Sequence, residues 1–251
     1  MITQTLSHDQ RAPAILLTGA SSGVGHALAL QLARRGHKVI ALGRDAIRLE
    51  ALSRQQPPIT PVAFDLAQTG GIDALARALL TEHPGIGILI NNAGIQHDRR
   101  LDDANYNAAG IAEEIAINLT APITLTRVLL PHLQQRTRAT IVNVTSSLAL
   151  VPKRTAATYS ATKAGLRLFS DALRVQCGHT GVRVLEVILP LVDTPMTAGR
   201  GTGKISADDA AVAIADALHG DQPRLYIGKA RALASLVWIA PSFAARVMQR
   251  S

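Results

Sequence analysis

Tyr159 and Lys163 stand four apart in the segment Tyr159-Ser160-Ala161-Thr162-Lys163, the spacing that puts two side chains on one face of a helix. A free tyrosine has a pKa of about 10, too high to act as a base near neutrality. An ammonium beside the phenol favours the phenolate and brings it toward the working range of proton transfer. Thirteen positions before Tyr159 stands Ser146, in Val144-Thr145-Ser146-Ser147. Its hydroxyl can hydrogen-bond a substrate oxygen and stabilise the charge that develops there. Together the three side chains are equipped to move a proton on and off an oxygen bonded to carbon. A Tyr-x-x-x-Lys pair alone recurs on surface helices, so the inference rests on its companions. Ser147, one residue nearer the tyrosine, is the alternative for the serine.

A second cluster is suited to phosphate. The apolar run Ala14-Ile-Leu-Leu-Thr18 leads into Gly19-Ala20-Ser21-Ser22-Gly23-Val24-Gly25 and then directly into an amphipathic helix. Glycines here permit a tight turn and let backbone N–H groups approach a pyrophosphate, while the helix N-terminus adds partial positive charge. A lone glycine-rich turn carries little weight. Its place between a first strand and a first helix carries more.

The spacing Gly-x-x-x-Gly-x-Gly at Gly19, Gly23 and Gly25 resembles the short-chain dehydrogenase/reductase family, whose further motifs follow in order. Asn91-Asn92-Ala93-Gly94 matches its Asn-Asn-Ala-Gly element, and Asp65, after the third apolar run, matches its adenine contact. Ser146 and the Tyr159, Lys163 pair match its catalytic triad in type, order and spacing. Asn118, in Ile117-Asn118-Leu119, matches a fourth member, which holds a water linking the lysine to solvent. The resemblance spans about residues 12–228. It implies an oxidoreductase that passes hydride between nicotinamide and a carbonyl or alcohol substrate, with Tyr159 exchanging the proton and Lys163 also binding the nicotinamide ribose. Implied cofactor contacts are Gly19, Ser21, Ser22, Gly23, Val24, Gly25, Arg44, Asp65, Leu66, Asn91, Ala93, Gly94, Tyr159, Lys163, Val192 and Thr194. A homodimer or homotetramer built on helices beside the tyrosine is implied as well.

The end of the second apolar run bears on which cofactor is used. Enzymes preferring NAD(H) place a carboxylate there for the ribose 2′-hydroxyl. Here Leu42-Gly43-Arg44 offers no acid at Gly43 and a guanidinium next to it, which can pair with a 2′-phosphate. Ser22 can add a hydroxyl donor. NADP(H) is therefore expected; in the alternative, Arg44 is solvated and Asp45 serves the ribose of NAD(H). One departure from the family pattern falls after the sixth run, where Leu189-Pro190 replaces the usual Pro-Gly before Val192 and Thr194.

The elements that must position these residues alternate along the chain. Apolar runs at 14–18, 38–42, 60–64, 86–90, 140–144, 182–188 and 224–228 read as strands, with helical segments such as 25–35, 45–54 and 206–219 between them. Strands apolar on both faces suit a covered parallel sheet. The expected fold is α/β: a Rossmann-type, doubly wound parallel sheet of seven strands in a single domain over residues 1–251. The family resemblance sets its strand order at 3-2-1-4-5-6-7. An apolar helix over about 230–249, broken near Pro241, ends the chain.

Composition narrows the partners. The net charge is +8, but the basic residues are scattered and aromatics make up 3% of the 251 residues, so little is available to stack on bases. No nucleic-acid role is expected. Histidines lack metal-ligand spacing and the single Cys177 precludes an internal disulfide, so neither a metal nor a crosslink is expected. Met1–Arg11 is polar without a secretory h-region, and a cytoplasmic location follows. Substrate identity is weakly encoded: Ile95-Gln96-His97 and Leu148–Pro152 are expected to border the pocket and favour a hydrophobic substrate, though the apolar residues equally suit loop packing. Residues 194–204, with three glycines, suit a mobile flap. The uncharged stretch between Arg231 and Arg246 suits either a cover over the pocket, a subunit interface or, less favoured, a membrane surface.

Overall fold

Alternation of side chains along each apolar run places successive residues on opposite faces of a sheet, and both faces here are apolar. The computed structural model describes residues 12–249; the Met1–Arg11 stretch and the side chain of Arg246 lie outside what it describes. Strands β1 (Ala14–Thr18), β2 (Val39–Gly43), β3 (Ile59–Ala63), β4 (Ile86–Asn91), β5 (Ala139–Ser146), β6 (Val182–Leu189) and β7 (Arg224–Tyr226) form one sheet. Their order is β3-β2-β1-β4-β5-β6-β7, as the family resemblance implied, and every pair is parallel. The last strand is three residues long, shorter than the expected 224–228.

Helices cross between the strands: α1 (Gly23–Arg34), α2 (Ala46–Gln55), α3 (Ile72–Glu82), α4 (Ala108–Ile115), α5 (Ala121–Leu133), α6 (Ala157–Gln176) and α7 (Ala207–Ala217). The chain ends in α8 (Lys229–Ile239) and α9 (Pro241–Gln249), divided at the expected proline. Ser206 caps α7 by accepting from the Asp209 N–H, as the sequence spacing suggested. Ile15 and Leu17 face a core shared with Leu28 and Leu32 of α1 and Ile214 of α7. Leu16, between them, faces the opposite core with Leu125 and Leu129 of α5 and Leu173 of α6. Leu16 pairs with Ile40 on one side and Leu89 on the other, so its truncation to alanine would cost about 2–5 kcal/mol.

The chain leaves β1 toward β2 on one side, while β4 lies on the other. The carboxyl ends of β1 and β4 therefore open the crevice where α/β sheets bind ligands. Among the described residues no helix is long and apolar enough to cross a membrane, and no cluster of His, Cys, Asp or Glu is placed to hold a metal ion.

Candidate active site

The glycine turn fits the crevice because nothing larger would. Gly19 has φ +70°, and a Cβ there would lie 2.7 Å from the Ala93 Cα. A Cβ on Gly25 would lie 2.1 Å from the Gly19 carbonyl oxygen. The Thr18 hydroxyl accepts from the backbone N–H groups of Asn92 and Ala93, each at 3.0 Å, and the Asn92 amide donates back to the Thr18 carbonyl at 3.0 Å. These bonds clamp the first glycine turn to the Asn-Asn-Ala-Gly turn. Ser22 is the N-cap residue of α1, yet its side chain makes no capping bond, and the first turn of the helix holds no acid. The helix N-terminus thus keeps its partial positive charge. Thr194 closes the far side, with its methyl group 3.1 Å from where a Gly23 Cβ would stand.

At the end of β2, Arg44 is exposed and only loosely paired, its guanidinium 3.9 Å from Glu113. Asp45 is occupied: it caps α2 by accepting from the Arg48 N–H at 3.0 Å and pairs with the Arg48 guanidinium at 3.2 Å. Asp65 turns its carboxylate to the Ala67 N–H at 3.0 Å, beside the buried Leu66. Asn91 points away from the crevice. Its amide donates to Asn143 at 2.8 Å inside the sheet, so at a cofactor site it has its backbone to offer rather than its side chain.

The second half of the crevice gathers the chemistry-bearing residues from three elements. Ser146 ends β5, where its hydroxyl accepts from the Leu148 N–H at 3.1 Å. Tyr159 and Lys163 share a face of α6, both buried, with the ammonium 5.8 Å from the ring centre. Asn118 sits in a π-helical turn, Ala116–Thr120, joining α4 to α5; such turns redirect single side chains out of helical register. Its amide is paired both ways with Ile95, accepting from the N–H at 2.8 Å and donating to the carbonyl at 2.9 Å. A Cβ on Gly94 would stand 3.3 Å from both Asn118 Oδ1 and Lys163 Nζ, so that glycine lets the two groups close on the turn. Ser147, the alternative, opens the short turn Ser147–Ala149 that follows β5.

Burial sets the electrostatics. It pushes the Tyr159 phenol up to about 12, with Ser146 pulling it down, Glu114 adding to the rise and Arg200 opposing it. Burial likewise brings Lys163 down to about 8. The Lys163 ammonium donates to the Val144 carbonyl at 3.0 Å.

Two residues at this site escaped sequence reasoning. Glu114 is buried and accepts from the His97 N–H at 2.8 Å and the Tyr106 hydroxyl at 2.6 Å. Its one legible signal is its place four residues before Asn118, a spacing that shares a face on a regular helix, though the π-helical turn breaks that register. Asp98 has φ +53°, rare for a residue with a side chain. It accepts from Thr155 at 2.7 Å and pairs with Lys153 at 3.3 Å and Arg200 at 3.2 Å. It thereby ties the loop after β4 to the loop after β5 and to the 194–204 segment. In that segment Gly199, Gly201 and Gly203 all have positive φ. Val192 is buried in a bridge with Ile205, and its carbonyl accepts from the Thr197 hydroxyl.

Residues 13–204 match the family model for short chain dehydrogenases. Over 180 residues the chain is 39% identical to the uncharacterized oxidoreductase DltE of Bacillus subtilis, covering 72% of this chain and 71% of that protein. The fold is similar to a short chain dehydrogenase from Burkholderia cenocepacia solved in complex with NADP, with a TM-score of 0.84, 27% identity, and coverage of 95% of this chain and 98% of the other. A short-chain dehydrogenase from Sphingobium yanoikuyae in complex with NADPH gives a TM-score of 0.81 at 28% identity, over 94% of each chain. The chain belongs to the short-chain dehydrogenase/reductase family of oxidoreductases.

Proposed function

We propose that this protein is an NADP(H)-dependent oxidoreductase interconverting a carbonyl and an alcohol, with Tyr159 as general acid and base. The observation that carries this reading is the burial of Tyr159 and Lys163 together on α6, with Ser146 also buried at the end of β5. When bound, NADP(H) supplies or accepts the hydride. Tyr159 donates its proton to the carbonyl oxygen in reduction and takes it back in oxidation. Ser146 holds that oxygen by a hydrogen bond. Lys163 contributes positive charge beside the phenol and a donor for ribose hydroxyls, and Asn118 fixes the turn that faces them.

The residues present fit the cofactor. Gly19 and Gly25 leave a cradle that a Cβ would fill, and the unblocked N-terminus of α1 with the unused Ser22 hydroxyl suits the pyrophosphate. Arg44, exposed and only loosely paired with Glu113, can meet a 2′-phosphate, whereas Asp45, the alternative ribose ligand, is committed to its helix. The NADP and NADPH bound to two similar structures support the same choice. Asp65 and Leu66 would flank the adenine. Asn91, Ala93 and Gly94 would line the ribose side through their backbones, and Val192 and Thr194 the carboxamide.

The whole reading belongs to one domain. Leu168 and Val175, seven apart on α6 and both exposed, support a homodimer or homotetramer built on that helix. The cofactor assignment is tested by titrating NADPH and NADH into the wild type and Arg44→Ala. NADPH binding should be tighter than NADH and fall about ten-fold or more in the variant, with NADH little changed. Equal loss of both would remove the 2′-phosphate role from Arg44.

A further inference from the structure

The turn between α8 and α9 presents three large apolar side chains to solvent. Trp238 is 87% exposed, Ile239 75% and Phe243 55%. They flank Ala240, where α8 ends and α9 begins, so they project from a single corner. The pair is held at other points. Ala230 and Ala244 are buried, and α8 packs against β7 and the Ser147–Ala149 turn. Folding therefore does not account for the three exposed side chains.

Charge identifies what would cover them. No acidic residue follows Asp221, while Arg224, Lys229, Arg231, Arg246 and Arg250 all do. Arg224 is neutralised by Asp171 and Glu186, but Lys229 and Arg231 are exposed. An apolar tip in a stretch whose only charged residues are basic is complementary to an anionic surface that offers an apolar layer beneath it. A second copy of the chain suits it less well. In a two-fold interface the same patch faces itself, and here that would set like charges against each other.

We propose that the α8–α9 corner docks on anionic phospholipid, with Trp238, Ile239 and Phe243 entering the headgroup boundary and basic residues of this C-terminal stretch meeting the lipid phosphates. Tryptophan is the aromatic residue most at home at that depth. The docking is peripheral and independent of whether Tyr159 is catalytic.

Trp238 is the only tryptophan of the chain, so its fluorescence reports this corner in the intact protein. Adding phosphatidylcholine vesicles containing phosphatidylglycerol should shift the emission to the blue and carry the protein down on sedimentation. Added salt should weaken both effects. Vesicles of phosphatidylcholine alone should do neither; equal binding to them would overturn the anionic assignment. The triple variant Trp238→Ser, Ile239→Ser, Phe243→Ser keeps every charge, and its co-sedimentation should fall about ten-fold or more with an unchanged melting curve. Unchanged binding of that variant would show mere electrostatic adsorption and overturn the corner's role. The proposal also fails if the wild type ignores anionic vesicles. It fails equally if the wild type forms a dimer that the triple variant alone loses, which would assign the patch to a second copy.

Discussion

The Lys163 ammonium lies 5.8 Å from the centre of the Tyr159 ring and spends a hydrogen bond on the Val144 carbonyl at 3.0 Å. With this chain's own groups around it, the phenol is held protonated, because burial outweighs the help from Ser146 and Arg200. In the proposed reaction a protonated Tyr159 would serve as the donor, which is the role reduction of a carbonyl requires.

Keeping an ammonium in that place costs stability. Lys163 falls from 10.5 to about 8 on folding. A depressed value of this kind contributes stability above 10.5, which is lost as pH falls through 8, because the folded state then has to carry the buried charge. The difference corresponds to roughly 3 kcal/mol. Lys163→Met should therefore melt above the wild type at pH 7, with the gap closing as pH rises toward 10. A gap that does not vary with pH would mean that Lys163 is not desolvated in the folded protein.

The glycine turn makes a sharper test of packing. Gly25→Ala sets a methyl group 2.1 Å from the Gly19 carbonyl, and backbone has to move. Overpacking of this kind costs about 1–3 kcal/mol, and NADPH affinity should fall with it by at least about ten-fold. Calorimetry and fluorescence titration would read the two effects. Wild-type affinity in a folded variant would exclude this turn as the phosphate cradle.

Asp98 is the pin of the 194–204 segment. Burial pushes its carboxyl up, but Thr155, Lys153 and Arg200 outweigh that and hold it below the usual carboxylate range. Its charge, and the stability that comes with it, is present above pH 3.8 and is lost as pH falls below that. Asp98→Asn removes the charge that Arg200 pairs with, and the loosened segment contains two tryptic sites, Arg200 and Lys204. Limited trypsin digestion of the native protein should cut there about five- to thirty-fold faster. An unchanged rate would mean that the other ties, such as Lys204 bonded to the Thr197 carbonyl at 2.7 Å, hold the segment without Asp98.

The strands were legible because each is a short apolar run between helical segments, and parallel strands covered on both faces have no other way to be written. The site motifs were legible because close backbone approach forces glycine at Gly19 and Gly25, and a shared helix face forces the spacing of Tyr159 and Lys163. Asp98 and Glu114 were hidden for the opposite reason. Their partners lie across loops with no periodicity, and a positive φ at an aspartate leaves no mark in sequence. Asn91 belongs to the expected motif, but the pairing of β4 with β5 aims its side chain at Asn143. In α8, an apolar helical stretch reads the same whether its tip is covered or bare, so the exposure of Trp238 became visible only with the fold.

The central claim is that Tyr159 moves the proton. It is tested most directly by NADPH oxidation against a panel of hydrophobic ketones and aldehydes, with wild type and Tyr159→Phe compared on any substrate that turns over. The phenylalanine variant should bind NADPH as the wild type does and lose about 10²- to 10⁴-fold in kcat. Turnover within a few-fold of wild type by a variant that binds NADPH normally would contradict the account and place the proton transfer on another group.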